Sequence, residues 1–137
     1  MNIEKLNKGP LFGLRIVEFE GIGPAPLAGQ LLSDLGAQVV KIERGNQKKS
    51  STNILDRSKS TIALNLKSPG GNKIARKLIS KADVLIEGFR PGVMERLGLG
   101  PKDCEKINSG LVYGRITGWG QDGPYSQKAG HDINYLS

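Results

Sequence analysis

The apolar positions of this chain fall in short blocks divided by polar stretches rich in glycine and proline. The first block, "LRIVEFE" from Leu14 to Glu20, is apolar and β-branched, which reads as a buried strand. "EGIGPAP" follows as a loop, and "PLAGQLLSDLGA" reads as a helix with Pro26 in its first turn and Gly36 as its stop. "QVVKIE", Gln38 to Glu43, is a second strand. Strand, helix and strand within about 30 residues make a βαβ unit, so those two strands should run parallel.

"RGNQKKSSTNILDRSK" reads as a long polar connection, mobile or ordered by a ligand, and "STIALNL" as a third strand. "SPGGNKIARKLISKA" predicts an amphipathic helix with Ile74, Leu78 and Ile79 inward and its lysines outward. "DVLIEGF" is a strand, "PGVMERLGLG" a short helix ended by Gly98 or Gly100, and "PKDCEKIN" a further helical turn or two. "LVYGRITGWG" is a fifth strand running into a glycine turn. This alternation predicts an α/β fold, a Rossmann-like open, mostly parallel sheet with helices on both faces. Residues 1–12 read as a polar arm. "HDINYLS" looks like the first turns of a helix that no stop signal closes, so the chain reads as the N-terminal part of something longer.

Composition narrows the partners. At 137 residues the chain suits one domain, and with 37% hydrophobic and 5% aromatic residues its core must rest on Leu, Ile and Val. A net charge of +7 favours an anionic partner, whether nucleic acid, a phosphorylated cofactor or a membrane surface. No RNP-like aromatic pair, zinc spacing or recognition-helix pattern supports nucleic acid, and no metal site is expected. No stretch approaches the roughly 18 apolar residues of a membrane span, and the start lacks the apolar core of a signal peptide. The single cysteine, Cys104, excludes an intramolecular disulfide and fits a reducing cytosol, so a cytoplasmic location is expected. It lies in a polar stretch with no histidine nearby in sequence, and no nucleophile case rests on it.

Two stretches carry candidate chemistry. "GIGPAP" lies between a strand and a helix, where free N–H groups and the helix dipole favour anions. Gly21 and Gly23 satisfy half of the dinucleotide fingerprint, and Glu43 ends the second strand where a ribose-binding acid is expected. The third glycine is missing, and Pro24 and Pro26 remove two donors. A dinucleotide site, a plain turn and a site for another nucleotide-bearing ligand therefore all stand as readings. The only histidine, His131, precedes Asp132 in "AGHDINYLS". It is either a proton-transfer group or part of an ordinary helix cap.

From "GLRIVEFEGIGPAPLAGQLLSDLGAQVVKIER" onward the chain resembles the class III CoA-transferase family, of the CaiB/BaiF type. Four further segments match in order: "KSTIALNLKSPGG", "KADVLIEGFRPGVMERLGLGP", "LVYGRITGWGQDGPYSQKAG" and "GHDINY". The last block is most similar to the α-methylacyl-CoA racemase branch. Gly23 points the same way, standing where oxalate-type transferases tend to have a glutamine. The resemblance implies a CoA-binding domain over residues 13–137, a second domain absent here, and a homodimer of two interlinked chains in the longer parent. It implies no prosthetic group, with a CoA thioester as the substrate.

Carried over by motif, Arg44 would stack on or contact the adenine, Leu64, Asn65, Leu66 and Lys67 would line the nucleotide, and Lys67 would meet a phosphate. Gly88, Phe89 and Arg90 would surround the cofactor, with Arg96 as a further cation. Gly130, His131, Asp132, Ile133, Asn134 and Tyr135 would face the thioester. Asn65 departs from the family's frequent aspartate.

Such a site would epimerise 2-methylacyl-CoA by removing the proton beside the thioester and returning one on the other face, through an enolate. A neutral imidazole at a helix N-terminus suits one face, which gives His131 the catalytic role and Asp132 a supporting one. The resemblance puts the second base, an aspartate, beyond Ser137, so this chain alone is expected to be nearly inactive. The alternatives are a transferase moving CoA between carboxylic acids and a non-catalytic nucleotide-binding module.

Overall fold

The computed structural model describes residues 9–45 and 53–136. Five strands, β1 (Arg15–Phe19), β2 (Gln38–Glu43), β3 (Ser60–Ala63), β4 (Val84–Glu87) and β5 (Val112–Arg115), form one sheet in the order β3-β2-β1-β4-β5. Every neighbouring pair is parallel, with Ile16 opposite Val39 on one side and Val84 on the other. Helix α1 (Pro24–Asp34) covers one face; α2 (Pro69–Ile79), α3 (Val93–Arg96) and α4 (Pro101–Ile107) cover the other. The open parallel sheet with helices on both faces is therefore as expected. A four-residue helix, α5 (Asp132–Tyr135), follows.

Alternation along the strands divides the core in two. Ile16, Val39 and Ile86 pack with Ala25 and Ala37 around α1. Val17, Phe19, Ile42 and Leu85 pack with Ala75, Ile79, Met94, Leu99 and Cys104 on the opposite face. Side chains of this size each contribute about 1.5–3 kcal/mol when fully buried, so both layers hold their helices tightly.

Several boundaries shift for local reasons. α1 starts at Pro24 rather than Pro26, because Gly23 turns the chain at φ 77° and Pro24 supplies helical φ. In α2, Ile74 is 44% exposed instead of buried. The inward face runs through Ala75 and Ile79, one position of about 100° away, with Leu78 half-buried and Lys73, Lys77 and Lys81 outward. α3 is followed by Gly98 at φ 66°, and Gly100 caps α4 instead. Residues 1–8 of the expected arm lie outside the described residues, while Leu11 packs against the α1 core layer and its N–H donates to Leu35 O at 3.0 Å.

The connection from β2 to β3 was expected to be mobile or ligand-ordered. Its residues 46–52 lie outside the described ones, but residues 53–59 are pinned onto α1 and the sheet. Lys41 Nζ meets Asp56 Oδ2 at 2.6 Å, Arg57 pairs with Asp34, and Ser33 Oγ donates to Ser58 O at 3.3 Å. Lys59 Nζ reaches Glu18 Oε2 at 2.7 Å and Pro26 O at 2.9 Å. Polar anchors perform here what a helix's apolar face does elsewhere in the sheet.

Candidate functional site

β1 is flanked by β2 and β4, whose connections leave on opposite faces, so a crevice opens at the strands' carboxyl ends. A cleft of about 1360 Å³ lies there, larger than the typical 300–1,000 Å³ of a drug-sized pocket. Phe19, Ile42, Leu64 and Phe89 give it apolar lining, and the two phenylalanine rings meet edge to face at 6.2 Å. Arg44, Lys67, Lys73, Arg76 and Arg96 add five cations against two carboxylates, Glu20 and Glu43.

Both acids are already engaged within the protein. Glu20 Oε2 accepts the Arg44 N–H at 3.0 Å, and Glu43 Oε1 sits 2.8 Å from Lys41 Nζ. Burial works against the Lys41 ammonium, but Asp56 and Glu43 more than offset it and raise its pKa. Of the five cations, Arg76 donates to Gly98 O at 2.8 Å. The N-terminal turn of α2 joins this lining through Ser68, Pro69, Asn72 and Lys73. Ser68 Oγ caps that turn by accepting from Gly71 N–H at 3.1 Å and donates to Asn65 O at 2.8 Å. Cationic side chains and a helix N-terminus on an apolar base suit an anionic ligand with a flat apolar part.

Seven residues expected at a cofactor site line this cleft: Arg44, Leu64, Asn65, Leu66, Lys67, Phe89 and Arg96. Gly88 and Arg90 do not. Gly88 lies against α1, where an added Cβ would come 3.2 Å from Ala25 Cβ, and the Arg90 guanidinium donates to Gln127 O. None of Gly21 to Pro26 lines the cleft, and Ile22 at 97% exposure points to solvent. The glycine loop thus turns the chain into α1, and Glu43 is the one fingerprint position that reaches the cleft. Sequence reasoning passed over Lys73 and Arg76; their position five and eight residues after a Ser-Pro helix start was the available signal.

The residues of "GHDINY" form a second group outside the cleft lining. The segment after β5 folds back on the turn after β4, where Arg90 donates to Gln127 O and Gln127 Nε2 donates to Pro91 O at 3.2 Å. The Trp119 ring meets those of Tyr125 at 5.6 Å and Tyr135 at 5.2 Å, tilted by 42° and 52°. His131 precedes α5, as expected, with its ring exposed; its backbone N–H donates to Asn134 Oδ1 at 2.8 Å. Asp132 and Ile133 open the helix and are exposed, while Tyr135 turns its hydroxyl between Gly118 and Gly130. Because Arg90 and Pro91 directly follow Phe89, Gln127, four residues before His131, is held at the same end of the sheet as the cleft.

A parallel sheet with a cleft at its carboxyl edge places the chain in the broad class of open α/β folds. Within that class the chain belongs to CoA-transferase family III, whose family model matches residues 11–137. It is 46% identical to the alpha-methylacyl-CoA racemase of Mus musculus over 127 residues, covering 93% of this chain and 33% of that one. It is 39% identical to the Mus musculus succinyl-CoA:glutarate CoA-transferase, covering 90% of this chain and 31% of that protein. A solved structure of a CaiB/BaiF family protein from Brucella suis matches with a TM-score of 0.83 at 33% identity, over 92% of this chain and 38% of that one. The chain spans about a third of the length of the curated relatives it matches. Among the described residues, no helix is long and apolar enough to cross a membrane.

Proposed function

We propose that residues 13–137 are the CoA-binding domain of an enzyme like the α-methylacyl-CoA racemases. The observation that carries this reading is the charge arrangement of the cleft: five cations outnumber two acids, of which Glu43 is paired with Lys41 and Glu20 accepts a backbone N–H. CoA bears about four negative charges on separated phosphates, and spaced cations beside a helix N-terminus suit it better than one compact patch. Arg44 and the Leu64–Lys67 turn take the nucleotide, Phe89 and Arg96 the opposite wall.

His131 then acts on the thioester end. Its imidazole takes the proton from the carbon beside the carbonyl, and the electron pair left behind moves to the thioester oxygen as an enolate. Return of a proton on the opposite face needs a second group, which we assign to the longer parent together with the interlinked dimer. A CoA thioester is the substrate, and no prosthetic group enters.

His131→Ala tests the assignment. CoA affinity by calorimetry should stay within about twofold, while deuterium exchange at the α-carbon of a 2-methylacyl-CoA falls by about 10²-fold or more in the longer parent. Unchanged exchange would remove His131 from the chemistry. The second reading, CoA transfer between carboxylic acids, draws on the likeness to succinyl-CoA:glutarate CoA-transferase. A covalent acyl adduct trapped on the parent would favour it.

A further inference from the structure

Arg115 ends β5, and its guanidinium reaches three separate parts of the fold. Nη2 donates to Glu95 on α3 and Nη1 donates to Gln121 Oε1 at 2.8 Å, while Nε stands 3.3 Å from Glu87 Oε1 at the end of β4 as an ion-pair contact without a hydrogen bond. Below it the Tyr113 ring lies 5.5 Å away, itself fixed by a 2.9 Å bond from its hydroxyl to Leu99 O.

Two of these arms lead to the cleft. Glu87 is 3% exposed, and its second oxygen accepts the Phe89 N–H at 2.8 Å, which sets the turn that places Phe89. Glu95 sits on α3 beside Arg96, a cation of the cleft lining. The third arm leads away from it, into the segment that runs from Gln121 to His131. The only other polar side-chain links described between that segment and the β4 side are Arg90–Gln127 and Gln127–Pro91, four residues before His131.

We propose that Arg115 is a positioning residue that couples occupancy of the cleft to the placement of His131, through Gln121 on one side and Glu87 and Glu95 on the other. This rests on the reading of the cleft as the CoA site and of His131 as the proton-transfer group. The planar fork of an arginine can hold three partners in different directions at once; a lysine at the same position supplies one point charge and no fixed plane. A ligand that presses on Phe89 or Arg96 therefore bears on the guanidinium, and the guanidinium on Gln121.

The chain's single histidine gives one imidazole signal, so the coupling can be followed by NMR without assignment ambiguity. Adenosine 3′,5′-bisphosphate is the probe, because it carries the nucleotide phosphates but no thioester arm to touch His131 directly. It should shift the His131 signal in the unaltered chain. In Gln121→Ala it should bind within about twofold of normal and move that signal at most about half as far, the remainder passing through Gln127; Arg115→Lys should reduce the shift at least as much. Without ligand, amides of residues 121–131 should exchange about tenfold faster in both variants, with the cleft amides unchanged in Gln121→Ala.

A shift that persists undiminished in Gln121→Ala, or amide protection unaltered in both variants, overturns the coupling. A uniform loss of protection throughout either variant overturns it too, since Arg115 would then be only structural. If the probe fails to bind the unaltered chain, the functional reading falls and takes the ligand coupling with it. The tether between Arg115 and the His131 segment would still be decided by the amide exchange alone.

Discussion

Glu18 on β1 and Lys59 before β3 form an ion pair of 2.7 Å in which neither side chain has exposed surface. Lys59 also donates to Pro26 O, whereas Glu18 Oε1 has no hydrogen-bond partner. Burial pushes the Glu18 carboxyl above its ordinary range, even though the Lys59 hydrogen bond and charge pull it down. Gly29 of α1 makes room for the pair, because a Cβ there would fall inside contact distance of Glu18 Oε2. The pair thus ties the start of β3 to α1 and β1, on the face of the sheet opposite the cleft-facing helices.

Lys59→Met should cost about 3–5 kcal/mol of stability at pH 7, because it strands a buried carboxylate. The sign of its pH dependence follows from the raised folded-state pKa of Glu18, which loss of Lys59 raises further. A group raised on folding contributes stability that is fully present below its unfolded value and is lost as pH rises through the folded value. The variant should therefore approach the unaltered chain near pH 4.5 and fall behind it as pH rises. Urea unfolding across pH 4.5–8 checks this; a gap that stays constant with pH would refute it.

Cys104 is buried on α4, its thiol donating to Leu99 O at 3.2 Å, and burial pushes its pKa up to about 11. Such a thiol is a poor nucleophile at pH 8. Alkylation by iodoacetamide should be slow in the folded chain, at least about a hundredfold slower than in urea, and limited by local opening. Rapid labelling without denaturant would contradict this burial.

The sheet was legible because β1, β2 and β4 are buried on both faces and so read as near-continuous runs of Val, Ile and Leu. What was harder to read depends on partners distant in sequence. Glu18 and Glu87 look like interruptions in apolar strands until Lys59 and Arg115 are placed beside them, 41 residues away in the first case. The motif residues from Arg44 to Lys67 converge because they follow adjacent strand ends. Gly88 and Arg90, from the same motif as Phe89, lie outside the cleft lining, Gly88 against α1 and Arg90 on Gln127 O. Ile74 faces outward because small Ala75, which fits closer to the sheet, takes the inward position.

In the cleft, Arg96→Gln and Arg44→Gln should each weaken CoA binding by about threefold to tenfold, or ~0.7–1.4 kcal/mol, as expected for partly solvated charge-assisted contacts. Both losses should shrink toward nothing in 1 M salt, where the screening length is about 3 Å. Calorimetric titration with CoA at two salt concentrations reads this out. Loss of affinity that is independent of salt would instead indicate a packing defect.

Tyr135 closes the segment that carries His131 by fitting between Gly118 and Gly130. A Cβ added at Gly130 would collide with the Tyr135 hydroxyl and lie 2.6 Å from Cζ, so Gly130→Ala must displace a ring that packs at a tilt against Trp119. The expected cost is about 1–3 kcal/mol of overpacking, with a clear change in the His131 imidazole signal. Removing the ring should remove the conflict. In the Gly130→Ala/Tyr135→Ala double variant, the alanine at 130 should add less than about 0.5 kcal/mol to the loss caused by Tyr135→Ala alone. Full additivity of the two losses in urea unfolding would show that Tyr135 does not occupy the space above Gly130, and that the turn preceding α5 is held by some other contact.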